Sequence, residues 1–111
     1  MKNIFRNKVV IITGASTGIG AATAREFAAH GSKVMLAARS EEKLSAIVQE
    51  ITELKQEASF VVTDVSREDD CKKLVEKTIE KYGTVDILIN NAGISMRALF
   101  SEVDLKVLHN L

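Results

Sequence analysis

The chain contains few of the residues that interrupt or cross-link a fold. Its 111 residues include no proline, no tryptophan and one cysteine, with fifteen basic and fifteen acidic residues. A single cysteine excludes an internal disulfide and is typical of a reducing compartment, so a cytoplasmic location is expected. The balanced charge provides no field that would attract nucleic acid or an anionic membrane surface, so neither is expected as a partner.

Long apolar segments are also missing. No run approaches the ~20 residues that a membrane-spanning helix needs. Residues 1–8 lack the apolar core of a secretory signal. His30 and His109 have no Cys, His or acidic companions at metal-ligand spacing, so no metal site is expected. Because repeats and low-complexity stretches are absent too, we expect one domain over residues 1–111.

What the chain does have is a regular alternation of apolar strands and amphipathic helices. Strands are predicted at 8–13, 33–37, 59–64 and 85–90. The first predicted helix covers 18–30 and ends at Gly31, and the second follows a Ser40 cap. The third begins at a Ser66-x-x-Asp69 capping box and ends at Gly83, and the fourth begins at Ser101. Strands that are apolar throughout indicate a parallel sheet covered on both faces. The fold class is therefore α/β, a doubly wound sheet with strand order 3-2-1-4.

Side chains on the apolar faces of these helices are the expected core. Cys71 lies on such a face, which favours a buried structural thiol over a reactive one. The other inward positions are Leu44, Ile47, Val48, Ile51, Leu54, Leu74, Val75, Thr78, Ile79, Tyr82, Val107, Leu108 and Leu111.

A glycine-rich turn is the most informative stretch. It runs from Thr13 to Gly20 as TGASTGIG, between an apolar strand and an Ala-rich helix. Glycine removes the Cβ and tolerates positive φ, and a helix N-terminus offers unpaired N–H groups and the positive end of its dipole. This order suits a bound pyrophosphate, although such turns also join strands to helices for structural reasons alone. The predicted cradle is Gly14, Ser16, Thr17, Gly18, Ile19 and Gly20, with Ile19 acting through its N–H while its side chain packs in the core.

Two further motifs follow in order: Asp64-Val65 at the end of the third strand, and Asn90-Asn91-Ala92-Gly93 after the fourth. Together with the glycine turn they resemble the classical short-chain dehydrogenase/reductase family from about residue 8 to residue 111. The resemblance implies a Rossmann fold, a nicotinamide dinucleotide, and hydride transfer to or from a small carbonyl or alcohol substrate.

The same resemblance implies roles for the two later motifs. Asp64 would accept from the adenine amino group, and the Val65 N–H would reach a ring nitrogen. Asn90 to Gly93 would run beside the adenosine ribose, with Asn91, Ala92 and Gly93 as the binding residues. One Asn side chain would tie neighbouring strands together, and for the Asn side chains this structural role is at least as strong an interpretation as ligand contact. Asp64 has a structural alternative too, as a turn residue at the strand end.

The end of the second strand indicates which dinucleotide binds. An NAD site typically places a carboxylate there to bond the ribose hydroxyls. This chain has Ala37-Ala38-Arg39-Ser40 instead, and an Arg fork can bond a 2′-phosphate. NADP is therefore expected ahead of NAD, with Arg39 as its contact. The alternative is that Arg39 is a solvated loop charge or stacks on adenine.

The catalytic residues of the resembled family do not appear in this sequence. That family uses a Ser and a Tyr-x-x-x-Lys beyond the Asn-Asn-Ala-Gly motif, whereas Tyr82 is the only tyrosine and is followed four residues later by Asp86. Ser95 and Asn110 do not match the family's positions either. We therefore expect the cofactor-binding half of a short-chain NADP-dependent oxidoreductase, inactive on its own. The alternative is a truncated module without turnover, which only binds the dinucleotide or merely folds. The glycine spacing disfavours an extended-family epimerase.

The fourth strand has an apolar sequence but, in 3-2-1-4 order, nothing beside it. An uncovered edge presents unpaired N–H and C=O groups. We therefore expect a homodimer or other homo-oligomer through this strand and the last helix. The alternative is a monomer in which that helix folds back over the edge.

Overall fold

Strands and helices alternate without exception in the computed structural model, which describes residues 3–91. The elements are β1 Val9–Thr13, α1 Gly18–Ala29, β2 Lys33–Ala38, α2 Glu41–Glu53, β3 Glu57–Val62, α3 Glu68–Tyr82 and β4 Ile87–Ile89. All strand pairs are parallel, and the order is β3-β2-β1-β4. The predicted fold class and strand order are confirmed. The helix predicted after Ser101 lies outside the described residues.

The sheet has a core on each face because alternate residues of a strand point to opposite sides. Val10, Ile12 and Leu36 face α1 and α2, and Ile11 and Met35 face α3. The α1 residues in the first core are small: Ala21, Ala24 and Ala28. Small side chains let α1 lie close to the sheet, which fixes the position of its N-terminus. Within residues 3–91 no helix is long and apolar enough to cross a membrane.

The predicted helix ends are found where the capping chemistry placed them. Gly31, just after the His30 cap of α1, has φ +88° and donates its N–H to the Ala28 carbonyl. The Ser40 side chain accepts from the Lys43 N–H at the start of α2, at 3.4 Å. Gly83 ends α3 in the left-handed conformation.

Several details of the predicted elements were wrong. Strand β3 begins and ends two residues earlier than the predicted 59–64, and β4 is shorter than the predicted 85–90. Leu54 follows α2 as its C-cap and is 64% exposed, because the helix ends before it can turn inward. The Ser66-x-x-Asp69 box does not form, since Ser66 bonds Asp64 instead and Arg67 is the N-cap of α3.

Candidate functional site

A cleft of about 800 Å³ opens at the carboxyl ends of the strands. In a doubly wound sheet this is the edge where ligands bind, beside the point at which the strand order reverses. The predicted site residues that line it are Gly14, Ser16, Thr17, Gly18, Ile19, Arg39, Asp64, Val65 and Asn91. Gly20 lies next to the Gly14 carbonyl, and Ala92 and Gly93 lie outside the described residues.

The cleft also contains residues that sequence reasoning missed. Ala38, Ser40, Thr63 and Ser66 line it as well. Each of them is a sequence neighbour of Arg39, Asp64 or Val65 at a strand end. That adjacency was the available signal.

Close packing between the turn after β1 and the first turn of α1 shapes the bottom of the cleft. Gly14 has φ +62°, in the region that favours glycine. A Cβ on Gly20 would collide with the Gly14 carbonyl oxygen and would lie 2.9 Å from Asn91 Nδ2. The glycines are therefore required by the geometry of the turn itself, whether or not a ligand is bound.

The N-terminus of α1 is kept free of both caps and acids. The Thr17 N-cap makes no side-chain cap bond, and the first turn contains no acidic residue. The first turn of α2 carries two acids and that of α3 carries three. The N–H groups of the first turn and the positive end of the α1 dipole therefore face the cleft without a competing negative group.

Ile19 lies in this first turn, and its side chain is 75% exposed. The prediction that it packs in the core was wrong. The reason is that Ala15, Gly20 and Ala21 are buried there and occupy the contact with the sheet, so Ile19 lies on the outer side of the helix at the cleft.

The loop at 63–67 holds Asp64 through several hydrogen bonds. Ser66 donates its hydroxyl and its N–H to Asp64 Oδ1, at 2.6 and 3.0 Å. These bonds lower the pKa of the Asp64 carboxyl, first through the Ser66 hydroxyl and then through its N–H, and the positive charges of Arg39 and Arg67 lower it further. Asp64 is therefore a carboxylate at neutral pH. It is the single acid among the described residues that line the cleft.

Arg39 follows directly after β2, is exposed, and lines the same cleft as Asp64. The preceding residue, Ala38, has no functional group, so no carboxylate stands at the end of this strand. The cleft thus combines a helix N-terminus, a guanidinium and one carboxylate.

A threonine hydroxyl joins β1 to the end of β4. Thr13 Oγ1 donates to Asn90 Oδ1 at 3.0 Å and accepts the Asn91 N–H at 3.0 Å. The side chain that ties the strands together is thus that of Asn90, while Asn91 lines the cleft. Thr13 is completely buried, and sequence reasoning did not assign it this role.

Tyr82 and Cys71 do not line the cleft. Tyr82 Oη is 3.1 Å from Ser59 Oγ and 3.2 Å from Glu57 Oε1, and burial raises its pKa to about 12. Cys71 is buried, which raises the pKa of its thiol, so the expectation of a structural thiol is confirmed. Within the described part of the chain no three His, Cys, Asp or Glu side chains cluster as a metal site would need.

Known proteins are similar to this chain in sequence and in fold. An uncharacterized oxidoreductase of Listeria monocytogenes is 57% identical over 89 residues, which cover 80% of this chain and 36% of the relative. The crystal structure of an F189W actinorhodin polyketide ketoreductase with NADPH superposes with a TM-score of 0.75 at 39% identity, covering 79% of this chain and 34% of that one. A metagenomic short-chain oxidoreductase in complex with NADP gives a TM-score of 0.76 at 38% identity, covering 81% and 41%.

The chain therefore spans well under half the length of these proteins. The family model described as short chain dehydrogenase matches residues 8–111. This match covers all three motifs, and the strand order and the cleft at the strand ends agree with it. The chain belongs to the short-chain dehydrogenase family.

Proposed function

We propose that this chain is the cofactor-binding part of an NADP-dependent oxidoreductase, which moves hydride between the nicotinamide and a carbonyl or alcohol. The observation that carries the proposal is the composition of the cleft. An uncapped helix N-terminus without acids faces the same space as Arg39, and no carboxylate stands at the end of β2. Two negatively charged groups of a dinucleotide, the pyrophosphate and a 2′-phosphate, would each meet positive potential there.

The described residues fit the rest of the dinucleotide as well. The turn from Gly14 to Gly20 would hold the pyrophosphate through backbone N–H groups. Asp64 and Val65 would bind the adenine, and Asn91 would lie along the ribose. Ala92 and Gly93, for which the resemblance implies the same role, lie outside the described residues. The bound cofactor supplies the hydride, while the residues of this chain bind and orient it.

Competition between the two dinucleotides tests the preference. We expect NADP(H) to bind about 5–30-fold more tightly than NAD(H), because a charge-assisted contact to the 2′-phosphate contributes roughly 1–2 kcal/mol. Calorimetric titration of both cofactors measures the ratio. Arg39→Ala should bring the ratio of the two affinities close to one.

Arg67→Ala is the matched control. It removes the same charge from the neighbourhood of Asp64, but Arg67 does not line the cleft. Its ratio should stay near that of the unsubstituted chain. Equal binding of NADP and NAD, or an unchanged ratio in Arg39→Ala, would contradict the proposed preference.

We further propose that these 111 residues bind cofactor without turnover, as one dinucleotide-binding domain in the cytoplasm. The catalytic Ser and Tyr-x-x-x-Lys implied by the resemblance are not in this sequence, and Tyr82 is bonded to Ser59 and Glu57 outside the cleft. The chain should therefore not sustain the oxidation of NADPH when it is tested with a panel of ketones. Oxidation that Gly14→Trp abolishes would overturn this part of the proposal.

A further inference from the structure

The loop at 63–67 uses almost all of its backbone donors internally. Thr63 donates its N–H to the Ala38 carbonyl, Ser66 to Asp64 Oδ1, and Arg67 to the Asp64 carbonyl. The N–H of Asp64 is taken by the side chain of Asp70, at 2.8 Å from Oδ2. Within residues 3–91, the Val65 N–H is the one amide of this loop that has no acceptor.

The two oxygens of the Asp64 carboxylate also differ in their hydrogen bonding within the loop. Both bonds from Ser66 end on Oδ1, so within the described residues Oδ2 accepts no hydrogen bond. The two groups left over, the acceptor Oδ2 and the donor Val65 N–H, belong to residues that line the cleft. An adenine edge carries the complementary pair, an amino donor beside a ring-nitrogen acceptor.

Asp70 fixes this pair from the adjacent helix. It lies in the first turn of α3, where an acid is stabilised by the helix dipole. An acid at the third helical position usually reaches back to the N-cap N–H. Asp70 reaches further, to an N–H three residues before the Arg67 cap. The next residue, Cys71, is 3.6 Å from the Val65 carbonyl through its Sγ. The first turn of α3 therefore holds both Asp64 and Val65, the two residues that would contact the adenine.

We propose that Asp70 is a positioning residue that sets the preference of the cleft for adenine over other bases. The inference rests on the proposed function, since it concerns the same bound dinucleotide. Asp70 lies outside the cleft lining and acts through the Asp64 N–H. Without that bond, the Asp64 carboxylate and the Val65 N–H would lose their fixed spacing.

The experiment compares NADP with its deamino analogue, in which hypoxanthine replaces adenine. Hypoxanthine has a carbonyl in place of the amino group and an N–H in place of the ring acceptor, so both complementary groups are reversed. The unsubstituted chain should bind NADP about 10–100-fold more tightly than deamino-NADP, as expected when two hydrogen bonds are replaced by two repulsive contacts. Calorimetric titration gives the ratio of the two dissociation constants.

Asp70→Ala should lower this ratio to within about 3-fold of one, because the base contacts weaken while the phosphate contacts remain. Asp69→Ala is the matched control: it removes an exposed acid from the same first turn that has no bond to the loop. Its ratio should be unchanged. Asp70→Asn should restore most of the ratio, since the amide oxygen can accept the same N–H. An Asp70→Ala ratio equal to that of Asp69→Ala would overturn the inference.

A measurement on the unsubstituted chain covers the case in which Asp70→Ala does not fold. Amide hydrogen exchange should show the Asp64 N–H protected without ligand and the Val65 N–H protected only when NADP is bound. An unprotected Asp64 amide in the folded protein would overturn the inference. Failure of the proposed function gives a different result, namely that neither dinucleotide binds, and both proposals then fall. Binding of both without discrimination overturns the inference alone.

Discussion

Tyr82 shows how strongly one residue's surroundings change its chemistry. Its phenol is half-buried against β3, beside the negative charge of Glu57. Burial is the main cause that raises its pKa to about 12, from an ordinary value of 10.0. The folded state therefore favours the protonated phenol more than the unfolded state does. The free energy of unfolding should be unaffected below about pH 10 and should fall between about pH 10 and pH 12.

Ultraviolet absorbance of tyrosinate checks this prediction. The chain has one tyrosine and no tryptophan, so the signal belongs to Tyr82 alone. The midpoint should lie near 12 in the folded protein and near 10 in urea, where the ordinary value returns. Glu57→Gln should lower the folded midpoint, because the Glu57 charge raises this pKa. A folded midpoint equal to that in urea would refute the prediction.

At the scale of elements, the join between β1 and β4 depends on the Thr13 hydroxyl. Thr13→Val keeps the shape of the side chain but removes the donor to Asn90 and the acceptor for the Asn91 N–H. We expect a loss of about 1–3 kcal/mol in the free energy of unfolding, because the site is buried. Urea unfolding followed by circular dichroism measures it. Thr13→Ser retains the hydroxyl and should lose less than half as much free energy of unfolding. If Thr13→Val is as stable as the unsubstituted chain, the Thr13 hydroxyl does not stabilise the join between β1 and β4.

The elements themselves could largely be predicted from sequence, because apolar periodicity and capping residues are local signals. The glycine turn, Ser40, Gly31 and Gly83 each mark a boundary through their own backbone chemistry. Contacts between elements could not be predicted in the same way. The sequence predicted a capping box between Ser66 and Asp69, whereas the structure has a hydrogen bond from the Asp64 N–H to Asp70, and Ser66 bonds Asp64. Nothing in the spacing distinguishes the two neighbouring acids, Asp69 and Asp70. The Thr13–Asn90 bond joins residues 77 positions apart, which no local pattern reports.

At the scale of the whole molecule, assembly depends on the free edge of β4. It pairs with β1 on one side, and no other strand of the described part lies on its far side. We expect two copies to pair their β4 strands antiparallel in an isologous dimer, which would satisfy both edges. The predicted contribution of the last helix falls outside the described residues.

Light scattering on a sizing column, run at several concentrations, measures this association. Leu88→Lys should shift the protein to monomer, with circular dichroism confirming that it still folds, since Leu88 also contacts the core next to α3. Val62→Lys is the control at the opposite edge, on β3, where the side chain is already 44% exposed. A monomer at high concentration for the unsubstituted chain would exclude the dimer.

The uncapped start of α1 also affects the stability of the whole molecule. A side-chain cap on a helix is worth about 0.5–2 kcal/mol, and α1 lacks one. Because this cap is missing, α1 should contribute less to the free energy of unfolding than a capped helix would. A ligand that takes up the same N–H groups restores this stability, and at a hundred times its Kd it adds about 2.7 kcal/mol to the free energy of unfolding. If the dinucleotide proposed above binds there, proteolysis of the purified chain should slow as its concentration is raised above Kd.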